Sequence, residues 1–167
     1  MIDVGDVAPE FSLPKAGGEA YNDIDDFSLS AALGDGPVVL AFFPAAFTSG
    51  CTVELCTFRD EIGRFSDLEA QVYGLSVDLP PAQNVFIRQE GLTFPLLSDW
   101  DHEVIHKYGV IRPDMYGLFE VARRSIFVLD ADGTVAYRWV EPEDADEIDF
   151  EAVVDSVRSA VADLASS

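Results

Sequence analysis

Lysine is nearly missing from this chain: Lys15 and Lys107 are the only two among ten basic residues, against 31 Asp and Glu, for a formal net charge of −21. A surface of that sign repels nucleic acid and anionic membranes, so neither is an expected partner. Cysteine is as scarce, with Cys51 and Cys56 the whole inventory. A secreted disulfide scaffold carries more cysteines at wider spacing, and a zinc site needs C-x-x-C pairs, so what remains is inert core thiols or redox chemistry. Long apolar runs are absent too. The longest, residues 37–47, falls short of the roughly 18 to 20 residues of a membrane span. The first 14 residues contain no Lys or Arg and no apolar h-region, so a signal peptide is not expected and a cytoplasmic location follows. Without repeats or a Ser/Gly linker, residues 1–167 read as one domain.

What is present is core material: 49% hydrophobic residues with twelve Phe, five Tyr and two Trp, which excludes intrinsic disorder. The acidic residues are spread along the chain. That distribution suits a salt-rich cytosol, where a Debye length of about 3 Å at 1 M suppresses self-repulsion, and the chain reads as that of a halophile.

Residues 37–43 (P-V-V-L-A-F-F) form a continuous apolar run between Gly36 and Pro44, predicting a central strand buried on both faces. From residue 49 to 65, Cys51, Leu55, Phe58, Ile62 and Phe65 recur at helical spacing, with Thr48 or Ser49 as cap. A strand is expected at 71–77, a helix from Pro80-Pro81 to about Glu90 and ended by Gly91, a short strand at 94–97 and a short helix at 101–108. Strands at 124–129 and 134–140 flank the hairpin signal Asp130-Ala131-Asp132-Gly133. Phe150, Val153, Val154, Val157, Ala160, Val161 and Leu164 line a last helix, with Asp144, Asp146, Glu147 and Asp149 near its positive end. This alternation predicts the α/β class, a mixed central sheet flanked by helices on both faces.

The chemistry centres on Cys51. A buried strand ends at Pro44, a short loop follows, and Cys51 falls in the first turn of a helix, where free N–H groups and the macrodipole favour a thiolate. Thr48 brings a hydroxyl to the same place. A lone cysteine is more often an apolar filler of a helix stripe. The joint presence of strand end, Pro, Thr and helix start reverses that preference.

Residues 43–54, F-P-A-A-F-T-S-G-C-T-V-E, resemble the peroxiredoxin active-site segment P-x-x-x-T-x-x-C followed by T-x-E. The resemblance continues in register through V-G-D-V-A-P-E-F-S-L at 4–13, F-P-L-L-S-D at 94–99 with Y-G-V at 108–110, and R-S-I-F-V-L-D at 124–130. It implies a thioredoxin-like fold and reduction of hydroperoxides by a peroxidatic cysteine, Cys51, that becomes a sulfenic acid. It also implies that Thr48 and Arg124 hydrogen-bond the peroxide oxygens, that Pro44 shields the sulfur, and that Glu54 orients the arginine. A first-turn carboxylate favoured by the dipole is the competing reading of Glu54. Adjacent strand residues face opposite sides, so only one of Arg123 and Arg124 can reach the sulfur, and the spacing to Phe127 and Asp130 selects Arg124.

Cys56 matches the resolving cysteine of bacterioferritin-comigratory (Q) type members, five positions after the peroxidatic one. AhpE-like members share the F-P-A-A-F-T start and work with one cysteine, which would make Cys56 structural. The resolving reading is preferred. It implies an intramolecular disulfide recycled by thioredoxin or a similar dithiol protein, with no metal and no organic cofactor. A homodimer is favoured among oligomers, although Q-type members can be monomeric. Two rivals are a non-enzymatic redox switch on the same fold and a general dithiol oxidoreductase, the latter opposed by the missing C-x-x-C. Finally, His102-Glu103-Val104-Ile105-His106 spells the zincin pattern H-E-x-x-H. No third ligand or cleft is identifiable, and the stretch reads as an ordinary helix.

Overall fold

The computed structural model describes residues 1–117, 120–143 and 148–165, apart from the side chains of residues 50, 51 and 62–67. In chain order the elements are β1 (Ser12–Ala16), β2 (Ile24–Ser28), α1 (Leu29–Leu33), β3 (Val38–Phe42), α2 (Ser49–Asp67), β4 (Gln71–Ser76) and α3 (Pro80–Glu90). They continue with β5 (Leu96–Ser98), α4 (Glu103–Tyr108), β6 (Ile111–Arg112), β7 (Val121–Ala122), β8 (Ser125–Leu129), β9 (Val135–Val140) and α5 (Phe150–Ala165).

All five residues of β3 are buried, as its unbroken apolar run predicts. Its alternating side chains feed two cores. Val39 and Ala41 join Leu55 and Phe58 of α2, Phe86 of α3, and Val154, Val157 and Val161 of α5. Val38, Leu40 and Phe42 face the other way, onto Leu29 of α1, Tyr108 of α4 and Phe127. Each fully buried Leu or Phe contributes about 1.5 to 3 kcal/mol. Two apolar faces on one strand therefore demand helices on both sides, and the sheet is mixed and covered as expected.

The seven strands run β2-β1-β5-β4-β3-β8-β9. β3 pairs parallel with β4, and β4 with β5, while β8 lies antiparallel to β3 and β9 antiparallel to β8. The Asp130–Gly133 turn forms as the sequence predicts: the Asp130 Oδ1 accepts from the Asp132 and Thr134 amides at 2.9 and 3.0 Å, and Gly133 takes φ +83°.

Strands β1 and β2 were not anticipated. Pro14 and the acidic pair Asp25-Asp26 oppose a strand reading. Pro14 is tolerated because β5 pairs with β1 only at Lys15 and Ala16, leaving no ladder partner on that side of residue 14. The short helix α4 begins at Glu103 rather than Asp101, since His102 sits at φ +64° and stands outside it. Of the acidic residues placed before α5, Asp149 accepts from the Ala152 amide at 3.1 Å, acting as a cap. Asp144, Asp146 and Glu147 lie outside the described residues.

Candidate active site

The three parallel strands all end on the same edge of the sheet, and the candidate residues gather there. Phe43 still donates its amide to the Leu75 carbonyl at 2.9 Å. Pro44 is buried and has no N–H to continue the ladder, so the chain leaves the sheet. The departing loop is pinned by a residue that the sequence reading missed: the Ala46 amide donates to Asp78 Oδ2 at 2.8 Å, and the Ser76 hydroxyl donates to the same oxygen at 2.7 Å. Gln83 supports Ser76 through a 3.0 Å bond. Phe47 then takes φ +68°, a conformation costing a non-glycine residue about 1 to 2 kcal/mol, and its ring rests edge-on against Phe86 at 5.1 Å.

This turn delivers the chain into α2. The Thr48 carbonyl accepts from the Thr52 amide at 3.0 Å and from its hydroxyl at 2.9 Å, while the Thr48 hydroxyl donates to the Ala45 carbonyl at 2.9 Å. Cys51 is the third residue of α2, inside the first turn where orphan N–H groups and the positive dipole end converge. Its side chain lies outside the described residues.

Beneath that turn lies Glu54, wholly buried, neither carboxylate oxygen having a hydrogen bond. Burial pushes its acid up to about 8, against the pull of Arg124 and with added repulsion from Glu141. The Arg124 side chain is 8% exposed, with Nη1 3.9 Å from Glu54 Oε2 and Nε 3.7 Å from Glu141 Oε2. Its guanidinium lies 5.7 Å from the Phe150 ring centroid. Arg123 faces away and pairs with Glu143 at 3.1 Å. The two side chains part as expected, but not by strand alternation. Both arginines lie in the connection between β7 and β8, where Arg124 forms a bend and the strand begins at Ser125 rather than at residue 124.

Glu141 is a second residue that the sequence reading did not assign to the site. Continuing the Leu129–Val135 pairing without a shift would set Val140 across from Arg124. The register instead shifts between Val128 and Leu129, and Glu141 donates its amide to the Arg124 carbonyl at 2.9 Å. A bulge of this kind leaves little trace in a sequence.

The structure brings Pro44, Thr48, the turn carrying Cys51, Glu54 and Arg124 together, and places Cys56 elsewhere. Cys56 is a part-buried free thiol whose Sγ donates to Glu90 Oε2 at 3.7 Å. Burial and the Glu90 charge push this thiol up, and Arg59 offsets part of the effect. In an intact helix the five-residue step sets the two cysteine Cα atoms roughly 8 to 9 Å apart and about 140° around the axis.

The H-E-x-x-H stretch does not place both histidines within a helix. His102 precedes α4, both rings turn to Glu120 (His102 Nδ1 at 3.6 Å, His106 Nε2 at 2.5 Å), and Glu103 pairs with Lys107 at 3.1 Å. Among the described residues no helix is long and apolar enough to cross a membrane.

The chain is similar to known proteins in sequence and fold. The AhpC/TSA family pattern matches residues 4–138. A putative peroxiredoxin of Mycobacterium tuberculosis is 42% identical over 133 residues, covering 78% of this chain and 80% of the relative. The peroxiredoxin Bcp of Escherichia coli is 36% identical over 138 residues, covering 81% and 84%. Among solved structures, peroxidoxin BcpB of Mycobacterium tuberculosis superposes with a TM-score of 0.83 at 32% identity over 98% of this chain and 99% of its own. Peroxiredoxin Q of Xanthomonas campestris gives 0.77 at 27% identity over 93% and 91%.

Proposed function

The chain belongs to the AhpC/TSA family of peroxiredoxins, thioredoxin-like thiol-dependent peroxidases, and on that premise we propose that Cys51 is the cysteine that peroxide oxidises. The observation that carries this reading is the buried Arg124, held by Glu54 and Glu141 beside the helical turn that bears Cys51. A guanidinium there favours the thiolate and stabilises the charge that collects on the leaving oxygen. The thiolate attacks the peroxide oxygen, the O–O bond breaks, and the departing alkoxide or hydroxide takes a proton, leaving Cys51 as a sulfenic acid. The Thr48 hydroxyl, whose proton goes to the Ala45 carbonyl, accepts from the peroxide O–H, and Pro44 closes the site against water. Glu54 acts on Arg124 and not on substrate.

Cys56 then attacks the sulfenic sulfur, giving a disulfide and water, and a dithiol protein of thioredoxin type restores both thiols. Because a disulfide needs Cα atoms within about 7 Å, the first turns of α2 open before it forms. The bacterioferritin comigratory protein of Xanthomonas campestris, a structural relative at 26% identity, has alkyl peroxide reduction activity, which supports alkyl hydroperoxides beside hydrogen peroxide as substrates. The proposed setting is a salt-rich cytoplasm. Assembly as a homodimer is supported by Phe47, Leu79 and Trp100, exposed at 49, 61 and 55% on the loops leaving β3, β4 and β5.

Intact-protein mass spectrometry after one equivalent of peroxide tests these assignments. The parent loses a pair of hydrogens, Cys56→Ser stops at the sulfenic acid, and Cys51→Ser does not react. Consumption of peroxide by Cys51→Ser near the parent rate removes Cys51 from the role. Repeated turnover with a reducing system separates the enzyme from a switch that is oxidised once.

A further inference from the structure

Given the reading above that Cys56 resolves the sulfenic acid, we propose that the Glu90 carboxylate is the base that takes the Cys56 proton. Glu90 is the last residue of α3, ahead of Gly91 at φ +63°. A carboxylate is disfavoured at this end of a helix, where the dipole is already negative. Two side chains of α2 nevertheless meet this residue: Cys56 donates to the carboxylate Oε2 at 3.7 Å, and Arg59, one turn further on, donates to the Glu90 main-chain carbonyl and so holds the end of α3 against α2. The other oxygen, Oε1, accepts from Gln89 at 3.4 Å. One carboxylate oxygen thus faces the thiol proton, on a backbone that Arg59 ties to α2.

The contact answers a chemical need. Part-buried beside a carboxylate, the Cys56 thiol is pushed above its ordinary range, so its nucleophilic thiolate is scarce near neutral pH. A base in contact removes the proton as the bond forms. Glu90 Oε2 takes the proton from Sγ, the Cys56 sulfur forms the S–S bond, and the Cys51 S–O bond breaks. The leaving hydroxide takes the proton back from Glu90 and departs as water. One thiol and one sulfenic acid become one disulfide and one water, with no outside oxidant.

The test compares the full-length parent, Glu90→Gln, Glu90→Asp and Cys56→Ser after rapid mixing with peroxide. Quenched samples are resolved by mass into sulfenic acid and Cys51–Cys56 disulfide. The rate of disulfide formation is divided by the rate of sulfenic acid formation in the same series, so a general loss of folding does not register. The expected result is a ratio lowered about tenfold or more in Glu90→Gln at pH 7, recovered in alkali as the thiol ionises unaided, and partly recovered in Glu90→Asp. A merely electrostatic neighbour gives the opposite sign: removing its charge makes the thiolate easier to form, and Glu90→Gln resolves faster. A faster or equal ratio overturns the proposal. A parent whose sulfenic acid persists as it does in Cys56→Ser overturns the resolving role of Cys56 and the base with it, and is distinguished by the parent trace alone.

Discussion

Replacing Glu54 by Gln should change how stability depends on pH, with a sign fixed by burial. The Glu54 acid is pushed up to about 8 from an ordinary 4.5, so the folded protein retains a proton there that the unfolded chain releases. Between those two values the unfolded state gains from ionisation and the folded state does not. Glu54 therefore costs nothing below pH 4.5 and progressively more as pH rises, up to about 5 kcal/mol once pH exceeds 8. Glutamine has the shape of the protonated acid and does not titrate. The parent minus variant difference should consequently shift by about 3 to 4 kcal/mol between pH 5 and pH 8, in favour of the variant at the higher pH. For a chain of this size that corresponds to roughly 10 °C in Tm. Urea unfolding of both proteins at the two pH values measures it. Any constant effect of Gln on packing or on Arg124 cancels in the comparison. A parent minus variant difference that stays within about 1 kcal/mol across this range would refute the argument that Glu54 is held as an acid.

Three other perturbations test separate parts of the account. Arg124→Met should slow oxidation of the thiol by about 100-fold or more, and Arg123→Met, whose side chain pairs outward with Glu143, by only a few-fold; stopped-flow rates decide, and equal losses would show that the wrong arginine was chosen. Tm should rise with KCl into the molar range as screening relieves a net charge of −21; a flat or falling Tm rejects the salt-adapted reading and leaves the enzyme untouched. Hydrogen exchange in residues 49–59 should quicken on oxidation of the parent but not of Cys56→Ser; unchanged exchange with a persistent sulfenic acid would make Cys56 structural.

Elements whose apolar spacing matches one period were legible before the structure: β3 by its unbroken run, α2 and α5 by their stripes, the final hairpin by Asp130-Gly133. The choice of Arg124 over Arg123 came from its spacing to Phe127 and Asp130, and the two side chains do pair with different partners. What stayed hidden depends on register or on elements distant in sequence. Glu141 reaches Arg124 only because a bulge displaces β9 by one residue. Asp78 meets the loop after β3 only because β3 and β4 are parallel neighbours with a common end. Glu90 meets Cys56 across 34 positions. The H-E-x-x-H motif errs in the other direction, because a spacing cannot foresee the left-handed residue that excludes His102 from its helix.

The packing of α2 decides which cysteine travels when a disulfide forms. Leu55 and Phe58 are fully buried in the core shared with α3 and α5, and drawing a large apolar side chain out of such a core costs about 2 to 5 kcal/mol. Cys56 lies between them and is tied to Glu90, whose carbonyl Arg59 holds in turn. The segment around Cys56 is thus anchored on both sides. The preceding turn is held differently. Thr52 turns its hydroxyl back onto the Thr48 carbonyl at 2.9 Å, a bond that slightly destabilises a helix. Val53 is 55% exposed and adds little burial, and Glu54 is buried without a hydrogen bond. On the resolving reading, unwinding is cheapest from residue 49 to 54 and brings Cys51 to a stationary Cys56. That direction keeps Cys56 against Glu90 at the moment its proton must leave.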